Sequence, residues 1–409
     1  MRLALNFPRI DPSKGGAETY VVDLCHRLVA LGHEVDLFAN CWKADALPTA
    51  VRPIFVDAKG WTRTQRIWNF AVNSEAALTA AAGRYDCTIG LINTWHHDVI
   101  IPQGGVHAAS LEANSKRFPA GWRRQAYVLG KKLNPKAWTY QAIEARQYDP
   151  ARGATVVAVS KMVRGHLERH HGVPRDRIHV VPNAIDAKRL AMDDPLAARL
   201  EFRHKLGLKP DDLVALFVGH NYALKGLKPL LLALHERLRR EPKSRPIHLL
   251  ACGGGRPSRF RKLIDQLGLA ESVHLLGFQP DIRPCFHASD FFALPTYYDP
   301  CSLVVFEALA CGLPVITTAC NGAGELIAEG REGYVIPNPD AVQSLADALD
   351  RMTDDDARTI MSENARKLGV DQSFDQHVRR LIEVFERVSE ARPRPHFRPA
   401  SRSLNRSPT

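Results

Sequence analysis

Two carboxylates eight positions apart, Asp299 and Glu307, stand in the stretch YYDPCSLVVFEALACGLPVITT. Pro300 and Ser302 suit a helix start, and Leu303, Phe306 and Ala310 supply an apolar face, which puts Asp299 ahead of the helix and Glu307 more than a turn inside it. Carboxylates so separated can hold different parts of one elongated ligand. The N–H groups of Cys301, Ser302 and Leu303 are expected to lack helical partners and can accept the ligand's anionic middle. The plain alternative is an amphipathic helix with solvated carboxylates.

Other segments offer anion or hydroxyl contacts. Gly15 and Gly16 in SKGGAETY lie between a short strand and a long helix, where a glycine lets backbone approach a diphosphate closely; G-x-G-x-x-G is absent, and a turn without ligand stays open. FVGHNYALKG carries Gly219, His220 and Lys225 after another strand, and a lysine there can neutralise a leaving phosphate. Gly253, Gly254 and Gly255 read as a second site of close approach or as a tight turn. His107, after Gly104 and Gly105, can exchange hydrogen bonds with a ligand or cap the helix that follows. No metal is expected. There is no D-x-D motif in a suitable strand-end loop, and the adjacent His96, His97 and Asp98 would point to opposite faces of a strand. The eight cysteines form no C-x-x-C pair, so zinc spacing is absent and free thiols in a reducing compartment are expected.

These groups need strand ends to stand on. Residues 2–7 read as a strand, and Val21, Leu24, Leu28 and Leu31 then recur at helical spacing until Gly32, after which residues 35–39 start another strand. Strand, helix, strand is the grammar of a parallel sheet. Residues 85–93 and 155–160 read as further strands. After a loop at 182–193 the pattern restarts with strands at 213–218 and 247–251, helices at 228–240 and 258–267, and the short strands VHLLG, SDFFALP and PVITT. The expected fold class is α/β with two doubly wound units, and ligands in such sheets bind beyond the carboxyl ends of the strands.

The chain has 409 residues, 45% hydrophobic and 24% charged, which fits two or three packed domains and excludes wholesale disorder or a disulfide-dense scaffold. Its net charge of +11 suits a polyanionic partner. Part of that charge lies in residues 390–409, a Pro, Ser and Arg-rich tail expected to be disordered. Segment 113–143 has no acid and carries Lys116, Arg117, Arg123, Arg124, Lys131, Lys132 and Lys136 among Phe118, Trp122, Tyr127 and Trp138. Basic groups among aromatics suit an anionic membrane surface or a phosphorylated acceptor, with an ordinary solvated segment as the alternative and nucleic acid not expected. The first residues, MRLALNFPRIDPSKGG, are too briefly apolar for a signal peptide, and no apolar run is long enough to span a bilayer, so a cytoplasmic protein is expected, possible at the membrane only as a peripheral one.

The motifs together resemble the retaining family 4 glycosyltransferases. Asp299 and Glu307 match the family's carboxylate, seven residues, glutamate motif in its E-A-x-A-x-G-x-P-V context, with GGAE at 15–18, VPNAID at 181–186 and the Gly219 to Lys225 loop in the expected order. GGVHAAS with its basic insert, GHNYALKG and HLLGFQPDIRPCFHASD are most similar to the lipopolysaccharide-core glucosyltransferases that add the first glucose to a heptose. The resemblance covers about residues 1–385. It implies a GT-B type architecture, with Rossmann-like domains facing a cleft: an acceptor-side domain at 1–185, a nucleotide-sugar domain at 186–374 and a crossover helix at 375–389. It implies retaining transfer of a hexose, with glucose from UDP-glucose expected, to a sugar hydroxyl on a glycolipid or phosphorylated glycan, without a cofactor. Glu307 would hold ribose; Gly15, Gly16, His220, Lys225 and the N–H groups of Cys301, Ser302 and Leu303 would hold diphosphate; Asp299 and His107 would meet the transferred sugar. Two departures stand out: aspartate replaces the motif's first glutamate, and His220 stands where an arginine is common. A nucleotide-sugar epimerase or a glycan phosphorylase could use a similar framework, and a non-catalytic sugar-binding protein would need only the basic patches.

Overall fold

A computed structural model describes residues 1–391 apart from His96, Gly255 and Arg256. The expected tail beyond residue 391, the His96 member of the candidate metal group and the last glycine of 253–255 therefore lie outside the described residues. Among the described residues, nine strands come from the first half: β1 (Arg2–Asn6), β2 (Arg9–Ile10), β3 (Glu34–Ala39), β4 (Cys41–Trp42), β5 (Arg52–Phe55), β6 (Cys87–Gly90), β7 (Val99–Ile100), β8 (Thr155–Ala158) and β9 (Ile178–Val180). Six come from the second: β10 (Leu213–Val218), β11 (Ile247–Cys252), β12 (Val273–Gly277), β13 (Phe291–Leu294), β14 (Val315–Thr318) and β15 (Gly333–Ile336).

The strands make two sheets, ordered β5-β3-β1-β6-β7-β8-β9 and β12-β11-β10-β13-β14-β15, with β2 and β4 as a separate pair. Every pairing is parallel. Both orders run outward in two directions from a first strand, so each sheet has a switch point, β1 against β6 and β10 against β13, where flanking loops part and leave a crevice. Two parallel-sheet domains thus flank a cleft.

Local sequence explains the elements. The run LVALFV of β10 is apolar at every position because helices cover both faces of a parallel sheet, and its first five residues are buried. Thr62 and Gln65 form a capping box at the Arg63–Ala80 helix, and Ser160 caps Lys161–His171, whose other end stops at Gly172 in a left-handed conformation. The first helix, Gly16–Ala30, buries Tyr20, Val21, Leu24, Cys25 and Leu28. Leu31 was expected on that face but is its exposed C-cap, because the helix ends one residue earlier. The strand expected over 85–93 is also shorter: β6 stops at Gly90, and Asn93 takes a φ of 52°.

The last helix, Phe374–Ala391, returns to the first half. His377 is buried there, accepting from the Tyr20 hydroxyl at 2.7 Å through Nε2 and donating to the Pro182 carbonyl at 2.8 Å through Nδ1. The carbonyl can only accept, which fixes that tautomer, and burial lowers the ring's pKa to about 4 so that it stays neutral. Arg27 on the first helix pairs with Asp375 at 2.6 Å. No described helix is long and apolar enough to cross a membrane.

Candidate active site

Beyond β10 the chain passes Gly219, His220 and Asn221 into the short helix Tyr222–Lys225, whose cap is the Asn221 side chain accepting from the Leu224 N–H at 3.2 Å. Lys225 folds back over Gly219. A Cβ at Gly219 would lie 2.8 Å from Lys225 Cγ, so glycine is what leaves the lysine stem this path. The ammonium then forms an ion pair with the mostly buried Asp299 carboxylate beyond β13. Asp299 is fixed by its own backbone, its N–H donating to the Cys320 carbonyl at 3.0 Å and its carbonyl accepting from the Gly322 N–H at 2.9 Å. His220 is exposed beside Gly254, where a Cβ would lie 3.2 Å from its Nδ1.

The helix Leu303–Ala310 opens four residues after Asp299, with Ser302 as N-cap. The expectation of three free N–H groups is corrected at Ser302, which donates to Asn321 Oδ1 at 3.3 Å; the reason is that Asn321 folds over the helix start from the loop after β14. The N–H groups of Cys301 and Leu303 have no partner among the described residues. A Cβ at Gly16 would lie 3.0 Å from Leu303 Cδ1, so Gly16 lets the amino ends of two helices meet, both bearing positive partial charge. Gly15 precedes it in extended backbone, its φ being 169°.

Glu307 is half-buried inside that helix, and burial pushes its carboxyl up to about 7; Arg189 opposes the shift and Asp23 adds to it. Arg189 and Asp23 pair with each other at 2.7 Å, tying the first helix to the segment that opens the second half. A carboxyl poised there can switch between donating and accepting hydrogen bonds near neutral pH.

His107 is the first residue of the helix His107–Ser115. It does not serve as that helix's cap. The Val106 N–H is taken by the Tyr298 hydroxyl at 2.9 Å and the His107 N–H by Glu144 Oε1 at 2.5 Å. The ring stacks on Tyr140, with centroids 5.3 Å apart at 26°, and its Nε2 is buried with no partner among the described residues. Burial lowers the His107 pKa, Glu144 opposing and Lys131 and Lys136 reinforcing, which favours a neutral imidazole.

Sequence spacing missed the residues that close the cleft. Ser160 donates to the Pro300 carbonyl at 2.8 Å, Asn183 to the Cys301 carbonyl at 3.0 Å, and Glu325 accepts from the N–H groups of Lys161 and Met162 at 2.8 and 2.6 Å. Tyr298 fits against the first half because Gly105 has φ of 69° and no side chain; a Cβ there would be 2.3 Å from the hydroxyl. Asn183 lies inside VPNAID, a motif the sequence singled out. Among the described residues no group of three His, Cys, Asp or Glu side chains is arranged to hold a metal ion. The basic segment forms the helices Trp122–Lys132 and Pro135–Gln147, and Trp122, Leu129, Leu133 and Trp138 are exposed on it, Trp122 at 74%.

Two family models match in succession: Glycosyltransferase Family 4 over residues 14–189, and Glycosyl transferases group 1 over residues 198–368. A D-inositol 3-phosphate glycosyltransferase from Frankia alni is 29% identical over 83% of this chain and 86% of its own length. The lipopolysaccharide glucosyltransferase WaaG of Escherichia coli K12 is 25% identical over 86% of this chain and 90% of its own. A crystal structure of WaaG, a glycosyltransferase involved in lipopolysaccharide biosynthesis, superposes with a TM-score of 0.75 at 23% identity, covering 94% of this chain and 99% of that one.

Proposed function

From a chain that is a GT-B fold glycosyltransferase of the family 4 and group 1 superfamily, using a nucleotide-sugar donor and a sugar or glycan acceptor, we propose a finer reading. The enzyme moves glucose from UDP-glucose to a sugar hydroxyl of a lipopolysaccharide-core or other lipid-linked glycan, with the anomeric configuration retained. The observation that carries this reading is the convergence of Lys225, Asp299 and two helix amino ends in the cleft.

An ammonium has three N–H donors. One meets Asp299, leaving two for oxygens of the donor diphosphate. The free N–H groups of Cys301 and Leu303 and the Gly15–Gly16 start of the first helix face the same anion. Glu307 takes the ribose hydroxyls, and Asp299 and His107 take hydroxyls of the hexose. The acceptor oxygen bonds to the anomeric carbon on the face from which the phosphate oxygen departs; the acceptor proton passes to that departing oxygen, and UDP leaves. No protein nucleophile is required. Lys225 and the helix N–H groups supply the countercharge that a divalent metal provides elsewhere, so activity should survive EDTA.

The acceptor class is supported by the exposed Trp122, Leu129, Leu133 and Trp138 on basic helices, an amphipathic arrangement suited to a peripheral site on the cytoplasmic face of an anionic membrane. A second reading has a soluble phosphorylated cyclitol as acceptor, supported by the name of the Frankia relative. Incubation with UDP-glucose and either truncated lipopolysaccharide or D-inositol 3-phosphate distinguishes the two by product mass. An altered nucleotide-sugar formed without acceptor would instead indicate an epimerase.

A further inference from the structure

Tyr140 and Glu144 are four residues apart on the helix Pro135–Gln147, so they share one of its faces. Both act on His107 from that face. Glu144 Oε1 accepts the His107 N–H at 2.5 Å, and the Tyr140 ring lies against the imidazole with centroids 5.3 Å apart. The other carboxylate oxygen of Glu144 lies 3.5 Å from His171 Nε2 without a hydrogen bond between them, and Tyr148 packs on the His171 ring at 5.0 Å. The helix is anchored behind them, with Ile143 buried and its carbonyl accepting from the Trp95 indole at 3.1 Å. His107 is thus gripped at backbone and ring, while its Nε2 stays buried and unpartnered among the described residues.

We propose that Glu144 and Tyr140 are positioning residues for His107: together they fix the height and plane of its imidazole where the ring meets the transferred sugar. This rests on the reading above that His107 meets that sugar. A ring held at its backbone and on its face loses little entropy when a sugar hydroxyl meets it. The work of Glu144 is acceptance of an N–H, which an amide oxygen can also do. The work of Tyr140 is its ring face, which phenylalanine also has.

The test is a double-mutant cycle on the full-length enzyme, with kcat and donor KM measured separately. Tyr140→Ala and Glu144→Ala should each lower kcat about tenfold or more with donor KM within about twofold, because a misplaced group costs the transition state more than the ground state. Tyr140→Phe and Glu144→Gln should stay within about threefold of the parent, which separates positioning from loss of fold. In a His107→Ala background the same changes should cost less than about twofold more. If His107→Ala is itself harmless, the sugar-contact reading of His107 is wrong. If His107→Ala is severe while Tyr140→Ala and Glu144→Ala are harmless, or if their losses multiply fully with that of His107→Ala, the positioning role is overturned and the reading of His107 survives.

Discussion

Replacing Lys225 by methionine removes the ammonium while keeping a stem that fills the path over Gly219. If the leaving diphosphate gains about half a charge at ~4 Å from that ammonium, an effective dielectric of about 20 gives about 2 kcal/mol, or about thirtyfold in rate. Loss of a single preorganised group at developing charge costs about a hundredfold or more elsewhere, so kcat should fall between about thirty- and three-hundredfold while donor KM moves less than about fivefold. The substitution also strands Asp299, whose side chain is 9% exposed, and an unpaired buried carboxylate lowers stability. Lys225→Met/Asp299→Asn controls for this: the melting midpoint should recover and turnover should not. UDP release at saturating donor, followed by a coupled assay, gives kcat. A Lys225→Met enzyme within about threefold of the parent would refute the argument and assign the countercharge to another group.

Glu307 gives a pH dependence with a definite sign. Its carboxyl is raised from 4.5 to about 7, so the folded state binds the extra proton, and apoprotein stability should fall as pH rises through that window; Glu307→Gln should flatten the melting-temperature profile. In the proposed role the ionised form would accept from both ribose hydroxyls, so donor KM should fall as pH rises through about 7 in the parent and not in the variant, a trend whose reversal would remove Glu307 from the ribose. Gly219→Ala should push the Lys225 stem off its path and lower kcat about tenfold, with secondary structure by circular dichroism unchanged; unaltered turnover would mean that the stem can be rerouted freely. Neutralising Lys116, Arg117, Arg123 and Arg124 should reduce sedimentation with anionic liposomes at low salt, and full sedimentation would remove segment 113–143 as the anchor.

What the sequence made legible was local. The glycine turn into the first helix, the Gly219 to Lys225 loop and the Asp299 to Glu307 helix are each encoded within about twenty residues, by an apolar strand, a breaker and a 3.6-residue apolar period. The Arg63–Ala80 helix escaped because its buried positions include Ala71 and Ser74, which hydropathy barely registers, and β5, β7 and β9 because two to four residues show no alternation. The ion pair of Lys225 with Asp299 was not legible either: the two were assigned to different parts of one ligand, and only the folded switch point brings residues 74 apart into contact. Tyr298 on Val106 spans 192 residues, and its sole trace in the sequence is Gly105, whose need for a missing side chain is visible only once the partner is in place. Ser302 shows the converse, since its helix-start N–H looked free until a distant asparagine took it.

Retaining glucosyl transfer is tested most directly by nuclear magnetic resonance of the isolated product after reaction with UDP-glucose, whose glucose is α-linked, and a lipopolysaccharide-core acceptor. The account predicts a new α-glucoside on the acceptor, marked by the small coupling between an equatorial anomeric proton and its axial neighbour. A β-glucoside, or free altered nucleotide-sugar with the acceptor untouched, would contradict it.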